Sequence, residues 1–184
     1  MAPIQRTQDA VEILCDAFLE EALTRWMFPA PPEQRRVSAG RLFEQAVAES
    51  AKAGTLDVAG ADAAAVWLPV PADARIAPPP EVELPARLRI LVDLLAQRHP
   101  IEQPHLYLAF LGVTPGKQGL GLGGALLAEG LRRAEAEGLP AYLEASSSRN
   151  LPLYERHGFR QLGNPIELPD GPTVWPMWRD TKEN

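Results

Sequence analysis

The stretch His105-LYLAFLGVTPGKQGLGLGGALLAEGLRRAEAEGLPAYLE-Ala145 contains a strand, a glycine-rich loop, a helix and a second strand, in that order. His105–Val113 is an almost unbroken apolar run of strand formers, the pattern of a strand buried on both faces. From Gly123 to Glu137 the apolar residues Leu126, Leu127, Leu131 and Ala134 recur at helical spacing, and Gly138 and Pro140 end the run. Ala141–Ala145 then reads as a strand. Two strands joined through a helix are parallel and connected by a right-handed crossover.

The loop between them, Gly116–Gly124, sits where backbone N–H groups and a helix dipole converge on an anion. Glycine lets a ligand approach the backbone closely and supplies conformations with positive φ. The alternative is that these glycines serve only tight helix–strand packing. Gly119-Leu-Gly121-Leu-Gly123-Gly124 formally matches the dinucleotide fingerprint G-x-G-x-x-G. However, only about 60 residues follow it, too few for a doubly wound domain. The phosphate-loop ending is absent, because Gln118 follows Lys117.

Val113-TPGKQGLGLGGAL-Leu127 resembles the acetyl-CoA loop of the GNAT N-acetyltransferase superfamily, whose pattern Gln/Arg-x-x-Gly-x-Gly/Ala is met by Gln118, Gly121 and Gly123. The strand end Leu111-Gly112-Val113 and the downstream Asn150…Tyr154-ERHG-Phe159 extend the likeness. Trp67 in AAAVWLP, the run YLEASSSRNLPLYERHGF and the closing LPDGPTVWPMWR resemble the puromycin N-acetyltransferase-like branch over most of 55–179. Residues 1–54 follow it mainly in helix pattern and in Arg25-Trp26. The resemblance implies acetyl-CoA as cosubstrate and acetyl transfer by direct attack of a small-molecule primary amine, an aminonucleoside-like acceptor among them.

It also implies residue roles. Leu111, Gly112, Val113, Gln118, Gly119, Leu120, Gly121, Leu122, Gly123, Gly124 and Asn150 fall at cofactor-contacting positions, with Asn150 either touching the cofactor or capping a helix. An N–H near Gly112 or Val113 would stabilise the oxyanion. Tyr154 matches the family's general acid, its alternative being a packed ring with a backbone-bonded hydroxyl. The strand before the loop lacks the carboxylate that some relatives carry there and offers only His105 and Tyr107 as ionisable groups. Glu144 is then the candidate base, its alternative an ion pair with Arg149 or Arg156.

Trp26, Trp67 and Tyr107 are candidates to contact the acceptor, the alternative for the two tryptophans and for Phe28 being core packing. Glu20 and Glu21 either attract an ammonium or form a solvated face. Lys117, Arg132 and Arg133 are candidates for the cofactor's phosphates. His99 and His157 read as surface or helix-end residues, and His105 as a partly exposed strand end. Three scattered histidines make no case for a metal. Cys15, in a helix without a neighbouring histidine, argues against a covalent route.

Working outward, residues 8–28 form an amphipathic helix through Val11, Leu14, Cys15, Phe18, Ala22 and Trp26, with Thr7 as its cap. Glu33–Ala53 forms a second, burying Val37, Phe43, Val47 and Ala51. Thr55–Ala59 and Ala63–Leu68 make a hairpin around Gly60–Asp62. Pro69, Pro71 and Pro78–Pro80 mark an extended loop before a helix at Leu84–Arg98. Leu151–His157 is a short helix, and Phe159–Leu162 and Thr173–Trp178 are closing strands.

The fold class is therefore α+β: one domain over 1–184, with a mixed, twisted sheet of six or seven strands split between two central parallel strands. A chain of 184 residues and net charge −6 suits one core and disfavours nucleic acid or anionic membranes as partners. With one cysteine, no leader-like start and no long apolar run, the expectation is a cytoplasmic protein, monomeric or homodimeric. Two other functions fit the same loop: a non-catalytic acyl-CoA-binding regulatory module and a protein N-acetyltransferase.

Overall fold

The chain begins with α1 (Pro3–Phe18), α2 (Ala22–Met27) and α3 (Pro32–Ala53), followed by the hairpin β1 (Leu56–Ala59) and β2 (Ala63–Val70). Then come α4 (Ala86–Arg98), β3 (His105–Val113), α5 (Leu122–Ala136) and β4 (Ala141–Ala145). A 3₁₀ turn (Ser148–Asn150), α6 (Leu151–Arg156), β5 (Arg160–Gln161), β6 (Ile166–Glu167) and β7 (Thr173–Arg179) complete it. This computed structural model describes residues 3–74 and 83–181, so the Pro78–Pro80 run lies outside the described residues.

The sheet has seven strands in the order β1-β2-β3-β4-β7-β5, with β6 also on β7. Among the described residues only β3 and β4 pair in parallel, as the crossover through α5 requires. One face is covered by α1, α3 and α4, whose Leu14, Phe43, Val47, Leu88 and Leu91 are buried with Ala64 and Val66. The other face is covered by α5, where Leu127, Leu131 and Ala134 pack on Trp67, Leu106, Leu108 and Leu143.

β3 carries a bulge that organises the centre of the sheet. Val66 opposes Phe110 and Trp67 opposes Leu108, which leaves Ala109 without a partner on β2. Ala109 and Phe110, consecutive in sequence, both pack on the α1/α3 side, while Leu108 and Leu111 pack on the α5 side. Such an insertion bends a strand and ends regular pairing. Pairing with β4 runs from Leu106↔Ala141 to Leu108↔Leu143 and stops there.

Several expectations need correction. Residues 8–28 are two helices with a turn at 19–21, and Thr7 lies inside α1, its hydroxyl donating to the Ile4 carbonyl. The buried Arg35 holds that turn: its guanidinium donates to the carbonyls of Leu19, Phe28 and Ala30 and pairs with Glu20 at 3.1 Å. Val37 is 58% exposed and Ala51 is exposed, because α3 buries Arg35, Ala39, Gly40, Phe43, Val47 and Ser50. β2 continues through Pro69 to Val70; β1 ends opposite Val66, so beyond it one edge of β2 is free to carry a residue without an N–H. The two-residue β6 is too short to leave a periodic signal.

Candidate active site

The bulge at Ala109 opens a fork between β3 and β4. Past Leu108, β3 remains paired to β2 through Leu111↔Ala65 and Val113↔Ala63, while β4 remains paired to β7 through Glu144↔Pro176 and Ala145↔Trp175. Leu111 and Val113 therefore border an unpaired slot in the middle of the sheet. Gly112 does something different: a Cβ there would lie 3.0 Å from Leu14 and 3.1 Å from Ala17, so its bareness lets α1 pack directly on β3.

The slot leads to the glycine loop. Gly116, Gly119 and Gly121 adopt φ of 83°, 79° and 82°, and nothing lies within 4 Å of where their Cβ atoms would be. Gly121 is the N-cap of α5. The N–H groups of 118–124 donate to no acceptor among the described residues, which leaves seven donors around a helix N-terminus without a protein partner. Gln118 reaches back to the Val113 carbonyl at 3.5 Å, Leu120 is 68% exposed at the tip, and Leu122–Gly124 open the helix. Two expected phosphate ligands are engaged elsewhere: Arg133 grips Asp57 at 2.8 Å, and Arg132 pairs with Glu129. Lys117 lies 3.6 Å from Asp62.

Asn150 ends the 3₁₀ turn and makes no side-chain cap bond to α6, so of its two readings capping is not observed. Tyr154 of α6 is buried, its ring edge-on to Phe159 at 6.1 Å. Its hydroxyl bonds to no backbone carbonyl among the described residues, unlike the packing alternative. Burial, and after it the negative charge of Glu21, hold that hydroxyl well above the ordinary phenol range.

Glu21 is not on a solvated face. It sits in the turn before α2, half-buried, and accepts a hydrogen bond from Ser146 Oγ at 3.0 Å, just beyond β4. Burial pushes its carboxyl above the usual range, against the opposing effects of Ser146 and Arg149. Ser146 was missed because a serine in a Ser-rich loop carries no signal by itself.

Glu144 pairs with neither Arg149 nor Arg156. Its carboxylate faces the hydroxyls of Tyr107 and Tyr142, and its Oε1 lies 3.8 Å from His99 Nδ1. Burial first, and the Glu144 charge second, hold both phenols well above their ordinary range. His99 is a helix end, the C-cap of α4, but is buried; His105, expected as a partly exposed strand end, is 1% exposed, and the two join Nε2 to Nε2 at 2.9 Å. His157 is a half-buried helix end, as expected.

The aromatic wall does not form as expected. Trp67 is wholly buried between β2 and α5. Trp26 is also core, its Nε1 donating to the Pro169 carbonyl at 2.9 Å and Arg87 lying over its ring. Phe28 is core too, and Tyr107 lies in the paired part of β3, opposite Tyr142 and edge-on to His99.

The GNAT acetyltransferase family model matches residues 86–159, which include the fork, the loop and Tyr154. A histone acetyltransferase HPA2 and related acetyltransferase from Corynebacterium glutamicum is 27% identical in sequence, with a TM-score of 0.68 over 98% of this chain and 93% of that one. Arylalkylamine N-acetyltransferase 2 from Aedes aegypti shares the fold, with a TM-score of 0.74 at 14% identity over 97% and 96% of the two chains. A mycothiol acetyltransferase from Streptomyces avermitilis is 52% identical over 52 residues, 27% of this chain and 17% of that protein's length. Residues 86–159 thus match the GNAT acetyltransferase family, and the chain is similar to the solved acetyltransferases over nearly its whole length. Among the described residues no helix is long and apolar enough to cross a membrane.

Proposed function

We propose that this chain is an acetyl-CoA-dependent N-acetyltransferase acting on a primary amine of a small molecule. The observation that carries the reading is the bulge at Ala109. It ends β3–β4 pairing at Leu108 and leaves a slot that leads to seven free loop N–H groups. Acetyl-CoA fits those features: an unpaired strand edge suits the amides of its pantetheine arm, and free N–H groups at a helix start suit its pyrophosphate. When bound it supplies an activated acyl thioester.

The chain's own residues do the rest. Leu111 and Val113 hold the arm by their backbone, and 118–124 hold the phosphates, with Asn150 alongside. Backbone N–H at Gly112 or Val113 stabilises negative charge developing on the acyl oxygen. Glu21, held by Ser146, draws in the ammonium, and Glu144 removes its proton so that the nitrogen can attack. Tyr154, kept protonated by burial and by Glu21, delivers a proton to the leaving sulfur. Cys15 is buried and burial raises its thiol, so no thiolate is offered for a covalent route. An aminonucleoside-like acceptor is the finer form of this reading, supported by the resemblance of 55–179.

Thermal stabilisation by acetyl-CoA and CoA but not NAD, followed by CoA release with a panel of small amines including aminonucleosides, tests the proposal. Stabilisation by NAD alone would overturn it. Binding of acetyl-CoA without turnover of any amine would favour a regulatory module.

A further inference from the structure

The polar cluster beside the fork is one proton short. His105 Nδ1 lies 3.1 Å from the Gln103 carbonyl, which can only accept, so Nδ1 carries the hydrogen. A neutral His105 then presents a bare Nε2 to His99 Nε2 at 2.9 Å, and the proton between them belongs to His99. The remaining nitrogen of a neutral His99, Nδ1, has only a lone pair to offer. It faces Glu144 Oε1 across 3.8 Å, and that oxygen is buried and accepts from no donor among the described residues.

Two lone pairs in a buried site are an unfavourable arrangement that a single added proton resolves. The surrounding groups supply no competing charge. The other titratable groups against the pair are His105 and Tyr107 on β3 and Tyr142 on β4; β7 contributes only the Trp178 ring. Burial and the neighbouring His99 disfavour a charged His105, and both tyrosines are held in the phenol form.

We propose that His99 is a positioning residue for proton removal: its Nδ1 takes and holds the proton that Glu144 collects from the acceptor ammonium, while His105 fixes its tautomer. The inference rests on the reading of Glu144 as base. The N–H bond of the ammonium breaks as O–H forms on Glu144. That O–H then breaks as Nδ1–H forms on His99, and the proton returns through Glu144 to solvent once the product has left the fork. Rotation of the carboxylate or one bridging water closes the 3.8 Å gap.

Nitrogen-15 NMR of the imidazoles tests this on the wild-type protein without turnover. Neutral His105 is expected as the Nδ1–H tautomer and neutral His99 as the Nε2–H tautomer. A neutral His99 protonated on Nδ1 overturns the proposal. In kinetics, His99→Gln is expected to lower kcat by about tenfold or more at neutral pH with KM for acetyl-CoA unchanged. The loss is expected to shrink at alkaline pH, where the amine arrives neutral. A lower Tm with an unaltered pH profile of kcat overturns it as well. If the wild type acetylates no amine, the function reading fails on its own, and the NMR still decides whether the pair holds the proton.

Discussion

The indole of Trp67 on β2 occupies the space that a side chain on Gly130 of α5 would need: a Cβ there would lie 2.1 Å from the ring. Trp67 is wholly buried and cannot withdraw. Gly130→Ala adds helix propensity of about 1 kcal/mol, but the overpacking it forces costs about 1–3 kcal/mol. The expected net result is destabilisation, read as a lower urea midpoint with an unchanged m-value. A more stable variant would show that α5 can lift off the sheet.

Arg35 does comparable work for the acceptor side. It joins three main-chain carbonyls from two turns and pairs with Glu20, the residue before Glu21. Arg35→Leu removes every donor while keeping apolar bulk. It is expected to cost at least about 1–3 kcal/mol, the penalty of one orphaned buried group. It should also raise KM for the amine, because the turn carrying Glu21 loses its anchor, while KM for acetyl-CoA holds. Equal effects on both substrates would place Arg35's influence elsewhere.

These two residues mark how far the sequence could be read. His105–Val113 and Ala141–Ala145 have in the structure the bounds their apolar pattern predicts, since a strand buried on both faces leaves an unbroken run. The α1–α2 break has no local breaker at Leu19-Glu20-Glu21; it is made by Arg35 from fourteen or more residues away, so periodicity runs straight through it. The bulge at Ala109 is equally silent, because Ala109 and Phe110 are both apolar whichever face they meet. The His99–His105–Glu144 cluster forms only when the end of α4 meets β3 and β4, a juxtaposition with no sequence spacing. Trp67 and Trp26 misled for the opposite reason, since a buried tryptophan and a pocket-lining one look alike in sequence.

At the loop, Gly121→Val puts a β-branched residue at φ 82° with open space around it. The strain of about 1–2 kcal/mol is the full structural cost, as nothing is struck. The larger expected effect is on acetyl-CoA, since the branched side chain covers the free N–H groups of 118–124. Isothermal titration should show affinity falling by at least about tenfold, the equivalent of about 1.4 kcal/mol, at a small cost in Tm. Unchanged affinity would remove the loop from the binding site.

For Tyr154, the hydroxyl is the only atom lost in Tyr154→Phe, and its ring contact with Phe159 is retained. As a general acid its loss should lower kcat by about a hundredfold, with KM for acetyl-CoA nearly constant. The deficit should shrink with acyl donors whose leaving group is a weaker base than the CoA thiolate, because these need less help from a proton. Normal turnover would return Tyr154 to packing alone.

Glu21 supplies a pH dependence with a definite sign. Burial raises its carboxyl above the unfolded value, so in the window between the two the folded protein retains a proton that the unfolded chain has released. Its favourable contribution is complete below the unfolded value, near pH 4, and falls as pH rises through the raised one. Glu21→Gln keeps an acceptor for Ser146 and cannot ionise, so it escapes that loss. Its Tm relative to wild type should therefore climb as pH goes from about 4 to 7 and then level off. The same change should raise KM for a cationic amine by about tenfold, about 1.4 kcal/mol of lost attraction. A Tm difference that stays constant from pH 4 to 7 would mean that burial does not hold this carboxyl up, and the acceptor site would need another source of its selectivity for ammonium.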